Sequence, residues 1–269
     1  MTALGVVAAF LRRDFRINIS YRVSFAFQSV SIVLQLALFF YLSRVVDNAK
    51  FDAHQNLNEG YFGYAAVGLA LLTMVQVSLS SYSYKLREEQ TTGTLEALMA
   101  TPTSPSLIVL SSAVYDMIRA IATGLALIGA AVVLFGLRLE LDPASIGVAM
   151  VALVGCLALF TSLGVAVAAF TIVFKRGTLL LALVITGLAL LGGVYFPIEV
   201  LPEPIEWLAN ALPFTWGLDV FRASLLGGAV DPAQLAGLFG SAMLLLPLGL
   251  LVFGAALRRV RRTGTLGQY

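Results

Sequence analysis

Six stretches of this chain stay apolar for long enough to decide its fold class: roughly 23–46, 61–84, 106–135, 144–173, 178–196 and 233–257. A helix needs about 20 predominantly apolar residues to cross a bilayer's hydrocarbon core, and each run supplies about that many. None shows the alternating ten-residue pattern of a membrane barrel. Composition agrees, with 59% hydrophobic and 12% charged residues and a mean hydropathy of +0.91, where a soluble domain carries about 25% charge. The expected fold class is an all-α membrane protein: six transmembrane helices in a single transmembrane domain over 1–269. The first run follows a polar, Arg-rich segment and precedes no small-residue cleavage site, so it reads as an anchor and not a removable signal peptide.

Charge gives the orientation. With a cytoplasmic N-terminus, that side holds Arg12, Arg13, Arg16, Arg22, Lys85, Arg87, Lys175, Arg176, Arg258, Arg259, Arg261 and Arg262, against Arg44, Lys50, Arg138 and Arg222 outside. Lys and Arg accumulate in cytoplasmic loops, so both termini are expected there, in a plasma or inner cell membrane. The pI near 8.8 reflects these clusters; arginines beside membrane helices need no nucleic-acid partner. The single Cys156 excludes a disulfide within the chain, and with the single His54 it leaves no Cys/His metal site.

Residues 3–20 read as an amphipathic helix in the headgroup layer. Leu4, Val7, Ala8, Leu11 and Phe15 lie on one side, with Arg12, Arg13 and Arg16 toward the other, on lipid phosphates. An ordinary juxtamembrane anchor fits the same pattern. In the first span Gln28, Ser31 and Gln35 share a face, and in the second Thr73, Gln76, Ser80 and Ser83 recur at i, i+3, i+7 and i+10. Polar faces in lipid must meet protein or water, so Gln28, Gln35, Thr73, Gln76 and Ser80 either glue helices or line a route; glue is the commoner use of uncharged side chains. The third run holds Asp116 and Arg119, three apart on one helix face. They fall roughly 15–20 Å along the helix from Pro105, at a depth where an unpaired charge costs about 3 kcal/mol or more. A pairing that locks helices is the simpler use; a proton relay would need further acids in line.

The one long polar interval on the expected cytoplasmic side is 85–105, KLREEQTTGTLEALMATPTSP. Lys85, Arg87, Glu88 and Glu89 open it, and the hydroxyls of Thr91 and Thr92 can cap a helix. Leu95, Leu98 and Met99 then make an apolar face about two turns long before Pro102 and Pro105. A helix that short is marginal alone in water, so its face must be buried. In 195–228, Pro197, Pro202, Pro204 and Pro213 cut an apolar, aromatic segment into pieces too short to span. Two short helices that dip into the outer leaflet and return account for this, with Phe196, Trp207, Phe214 and Trp216 at the membrane–water boundary.

The run Arg87-Glu88-Glu89 followed by Gly93-Thr94-Leu95-Glu96 resembles the coupling loop of type-2 ABC exporter permeases, the family of drug, lipid and polysaccharide exporters. Phe196-Pro197-Ile198-Glu199-Val200-Leu201-Pro202 and Leu212-Pro213-Phe214-Thr215 resemble the run that leads into that family's re-entrant helices. The resemblance covers the whole chain: N-terminal interfacial helix, six spans, a coupling helix within 87–101, and a re-entrant hairpin over 197–228 that includes Phe196, Pro197, Glu199, Pro202 and Pro213. It implies that Arg87, Glu88, Glu89, Gly93, Thr94, Leu95, Glu96, Leu98 and Met99 dock into a separate ATPase subunit. Glu89 and Glu96 would meet basic residues there, and Leu95, Leu98 and Met99 apolar ones. It also implies a homodimer in membrane lipids, ATP and Mg on the partner and no cofactor here, and export of an amphipathic, drug-like or lipid-like cargo. A polysaccharide or glycolipid cargo is the alternative.

Other chemistries lack their parts. The three lysines Lys50, Lys85 and Lys175 never follow glycine, so no phosphate loop can form. Gly-x-Ser-x-Gly is absent, and His54 lies in an outer loop, which argues against a hydrolase. An ion-coupled transporter would use Asp116 and Arg119 but leaves 85–105 without a purpose, and no inverted repeat is visible.

Overall fold

The computed structural model describes residues 3–18, 22–46, 59–174 and 177–263. Residues 19–20, Lys50, His54 and the Lys175-Arg176 turn lie outside the described residues, as do the side chains of Glu96 and Met99. Among the described residues there is no strand. The chain runs through α1 (Ala3–Asn18), α2 (Arg22–Ser43), α3 (Gly60–Thr91), the five-residue α4 (Leu95–Met99), α5 (Pro105–Ser112), α6 (Val114–Phe135), α7 (Pro143–Phe174) and α8 (Gly177–Leu191). A 3-10 turn (Ile198–Val200), α9 (Glu203–Asn210), α10 (Pro213–Leu226) and α11 (Pro232–Thr263) complete it.

The centre is α3, whose 32 residues extend about 48 Å at 1.5 Å per residue. Tyr61, Leu69, Leu71, Met74 and Leu79 are all buried beneath α6, α7, α10 and α2. A helix apolar on every side is driven inward from every direction. Its hydroxyls fasten it to α7: Ser78 Oγ donates to Leu157 O (3.4 Å), Tyr82 Oη to Thr161 Oγ1 (3.5 Å), and Thr171 Oγ1 to Ser83 Oγ (3.4 Å). These are the interhelical hydrogen bonds that small polar residues supply in membrane bundles.

Among the described residues four helical stretches are long and apolar enough to cross a membrane: Gly60–Thr91, Pro105–Phe135, Pro143–Val173 and Pro232–Val260. Two shorter apolar helices, Phe27–Ser43 and Leu179–Leu191, occupy the first and fifth expected runs. The fifth stops at Leu191, before a Gly192-Gly193 pair, well short of 196. The third is broken at Ala113 between α5 and α6, where Ser112 Oγ donates to Val109 O (2.8 Å) within the last turn of α5; such hydroxyl bonds bend helices. The second continues as helix through Lys85 and Gln90 to Thr91, so the first third of the expected polar loop is the last turns of α3.

Within 197–228, α9 and α10 are joined by a short turn closed by Thr215 Oγ1 to Ala209 O and Trp216 Nε1 to Asn210 O, each 2.8 Å. Trp207 on α9 is 74% exposed, whereas Phe214, Leu218 and Phe221 on α10 are buried against α7, α11 and α3. Two apolar cores result. The larger surrounds α3, and a second gathers Val6, Phe10, Leu86, Leu95, Ile108 and Leu257 at the end where α3 finishes.

Candidate functional site

The last turn of α3 and the start of α4 are built by backbone rules. Thr91 and Thr92 hydroxyls donate to Glu88 O (3.0 and 2.8 Å), so they satisfy the carboxyl end of α3 and do not cap α4 as expected. Gly93 follows with φ +73° and its N–H on Gln90 O (3.1 Å), the left-handed stop that glycine adopts at least cost. Thr94 N–H reaches Glu89 O (3.0 Å), and Thr94 O accepts the first α4 bond from Leu98 N–H (3.0 Å). The turn is thus a rigid corner that sets α4 across the end of α3.

An ion network locks that corner to α1. Arg13 Nη1 donates to Glu89 Oε1 at 2.6 Å, Arg13 Nε to Asp14 Oδ1 at 2.9 Å, and Lys85 Nζ lies 3.0 Å from Asp14 Oδ2 and 3.8 Å from Glu88 Oε2. The Thr94 hydroxyl donates to the other Glu89 oxygen. Asp14 is only 1% exposed and stands between two cations; a buried carboxylate is tolerated where it is paired in this way. Burial opposes the Arg13 charge, but hydrogen bonds from Asp14 and Glu89 and their charges outweigh it and raise its pKa above the ordinary arginine value.

Beside the network opens a cavity of about 660 Å³ whose lining includes Asp14, Ser80, Lys85, Glu88, Asp116 and Arg119. Asp116 is buried, and Arg119 Nη2 is 3.7 Å from its Oδ1, an ion-pair distance too long for a hydrogen bond. Lys85 and Asp14 also act on it electrostatically. The expected Asp116–Arg119 pair forms, and the cavity brings Asp14, Lys85 and Glu88 beside it, at the end of the bundle where α3 finishes.

The other expected residues divide. Glu88, Gly93 and Thr94 are exposed, as is Ala97, not among the expected residues; Arg87 and Leu98 are half-buried, whereas Glu89 and Leu95, expected to face a partner, turn inward. Leu95 is 2% exposed, in the core with Phe10 and Leu86. On α1, Arg12 and Arg16 are exposed and Arg13 is turned onto Glu89 instead of lipid phosphate; the helix buries Val6, Phe10 and Asp14, and leaves Leu4 82% and Phe15 56% exposed. Gln28 Nε2 donates to Thr123 Oγ1 (3.4 Å) and so joins α2 to α6, while Gln35 is exposed. Thr73 and Ser80 hydroxyls donate to Leu69 O and Gln76 O in their own helix (2.8 and 2.7 Å), and Gln76 is half-buried. Ser80 alone of this set borders the polyionic cavity.

At the opposite end of α3, Pro197 precedes the 3-10 turn, Pro213 opens α10, Phe196 is half-buried, and Glu199 and Pro202 are exposed. The residue not singled out there is Arg222, counted from sequence only as an outer-side charge within 197–228 yet 2% exposed. Its Nε donates to Tyr64 O (3.1 Å) and its Nη2 to Val194 O (3.0 Å), and its guanidinium lies 3.5 Å from the Tyr64 ring centroid. Tyr64 Oη donates to Gly193 O (2.7 Å). Asp14 was also missed, since one acid in an Arg-rich segment carries no signal of burial.

No curated protein matches the chain. A family model described as ABC-2 type transporter matches residues 6–226, from within α1 to the last residue of α10, and so takes in both the ion network and the Arg222 cluster. The chain therefore belongs to the ABC-2 type transporter family, as a multi-pass membrane protein.

Proposed function

We propose that the chain is the permease subunit of an ATP-driven exporter. Two copies, each with six membrane passes and both termini in the cytoplasm, form the pathway. A separate ATPase subunit holds ATP and Mg and seats the corner 91–100 of each copy. The cargo is an amphipathic, drug-like or lipid-like molecule moved out of the cytoplasm.

One observation carries this reading: α4 is too short to stand alone, yet it is fixed to α1 and α3 by Arg13–Glu89–Thr94 and by buried Leu95. A push on its exposed side, through Glu88, Thr94 and Ala97, enters α3 as a rigid displacement. Tyr64, held by Arg222 and Gly193, lies about 40 Å along that helix from Thr91. Closing of the ATPase pair would drive such a lever and switch access. Glu89 and Leu95 act as the internal fastening, and Glu88, Thr94 and Ala97 as the surface presented to the partner.

The test uses Ala97→Cys in a Cys156→Ala background, co-expressed with the ATPase that co-purifies with the chain. Cross-linking of position 97 to that ATPase is expected, and Arg13→Ala or Glu89→Ala should leave the complex assembled while transport falls about tenfold relative to ATP hydrolysis, a loss of about 1.4 kcal/mol of coupling. Cargo movement without ATP, or no cross-link in an active complex, overturns the reading.

A further inference from the structure

At the same end of the bundle, α7, α8 and α11 leave an open groove of about 540 Å³. Its walls are apolar, with Phe170 from α7, Leu180 from α8 and Val252 from α11; Ala166 and Ala255 contribute only methyl groups where larger side chains would fill the space. Among the described residues Arg259 is the one charged residue lining it. It lies where the apolar stretches of α7 and α11 close, at Val173 and Val260. Arg258 and Arg262 are exposed on the same final turns, and α11 contains no acid. From Leu163 to Val173 the groove follows α7 for about 15 Å, half of a hydrocarbon core of about 30 Å. The geometry is an apolar trough one leaflet deep with cationic charge at headgroup level.

We propose that this groove holds an anionic glycerophospholipid of the adjoining leaflet. One acyl chain lies along Phe170 and Val252, and the phosphate rests on Arg259. Charge complementarity selects this occupant: a zwitterionic lipid fits the trough equally well but neutralises none of the positive charge that Arg258, Arg259 and Arg262 place there. Such binding requires neither nucleotide nor an ATPase, so it stands or falls separately from the exporter reading.

The full chain, purified in detergent, is titrated with phosphatidylglycerol or phosphatidylcholine of identical acyl chains, and bound lipid is read by native mass spectrometry. Wild type should hold phosphatidylglycerol about fivefold more tightly, the effect of roughly one surface arginine on an anionic lipid. Arg259→Gln should bring the two lipids level, and Ala166→Phe should weaken both severalfold by filling the trough. Ala255→Leu, on the exposed rim, repeats the filling test if Ala166→Phe changes the elution volume of the folded protein. Equal binding of both lipids by wild type overturns the proposal. So does unchanged binding in the filling variants, which leaves headgroups adsorbed to arginines alone, or loss of a dimer on filling, which gives the groove to a second copy of the chain.

Discussion

Gly68→Ala should damage the protein by way of Arg222. A Cβ at position 68 would lie 2.3 Å from Arg222 Nη2 and 3.0 Å from Val194 O, so the guanidinium must leave its place. Arg222 there makes hydrogen bonds of 3.1 and 3.0 Å to two carbonyls and lies over the Tyr64 ring. A hydrogen bond to a charged group contributes about 1.5–3 kcal/mol, and a desolvated cation–π contact about 2. Arg222 Nη1 is buried with no hydrogen-bond partner, which offsets part of that sum. A net cost of about 3 kcal/mol for Arg222→Met follows once that penalty of roughly 1–3 kcal/mol is subtracted and the contacts are taken as non-additive. Gly68→Ala gains about 1 kcal/mol of helix propensity, so its net cost is about 2 kcal/mol. Combined, the two should cost about 2 kcal/mol, less than Arg222→Met alone, because the guanidinium is the main group that the new methyl meets and the helix-propensity gain remains. The expected coupling is thus about 3 kcal/mol, far above the roughly 0.5 kcal/mol scatter of independent sites. Equilibrium unfolding in mixed micelles, followed by the fluorescence of Trp207 and Trp216 on the hairpin, measures all four corners of the cycle. Simple additivity would refute the claim that Gly68 exists to admit Arg222.

Two further outcomes concern the corner after α3 and a third the start of α7. Leu95→Asp places an unpaired charge in the core formed with Phe10, Leu86 and Ile108 and should cost about 3 kcal/mol or more, whereas Ala97→Asp on the exposed side should leave unfolding unchanged and alter only ATPase association. Gly93→Ala has open space around its Cβ and should cost about 1–2 kcal/mol through its left-handed backbone alone, with Gly93→Asn milder in the same unfolding assay. Asp142 Oδ2 accepts from Ala144 and Ser145 N–H (3.1 Å each) at the start of α7, and its hydrogen bonds with Ser145 hold its pKa below the usual carboxylate value. A depressed folded pKa contributes stability that is complete above the unfolded value, about 3.9, and is lost as pH falls through the lower folded one. Asp142→Asn should therefore flatten the acid limb of a stability–pH curve below about pH 4, with its deficit against wild type present at pH 7 and vanishing in acid.

The frame was legible because its determinants are local. Apolar length alone marks α3, α7 and α11, and Pro213 marks the start of α10. What escaped was orientation about each helix axis. On α1 the most apolar stripe, Leu4 to Phe15, was read as one side of a headgroup-layer helix with all three arginines opposite, yet the face that meets protein is Val6, Phe10 and Asp14. In a bilayer the ordinary amphipathic rule loses its force, since lipid accepts an apolar stripe as readily as a protein core does. The polar, paired side chain is then the one that must find protein, and a sequence does not name the partner 76 positions away that Arg13 finds in Glu89.

The same argument explains α3 and Arg222. A stripe at Thr73, Gln76, Ser80 and Ser83 looks like a surface, but hydroxyls in a helix can turn onto their own carbonyls, as Thr73 and Ser80 do, and then orient nothing. The contacts with α7 come from Ser83 alone of that stripe and from Ser78 and Tyr82 beside it. Arg222 counted as an outer-side cation because a positive-inside tally weighs charges by segment and not by burial. Both ends of α3 are thus fixed by the same device, a buried or half-buried arginine joining segments distant in sequence. Arg13 binds α1 to the coupling corner, and Arg222 binds α10 and 192–196 to Tyr64. In the proposed exporter, a rod held at both ends by charge, with apolar packing between, would carry displacement from the corner after α3 to the segment that holds Arg222.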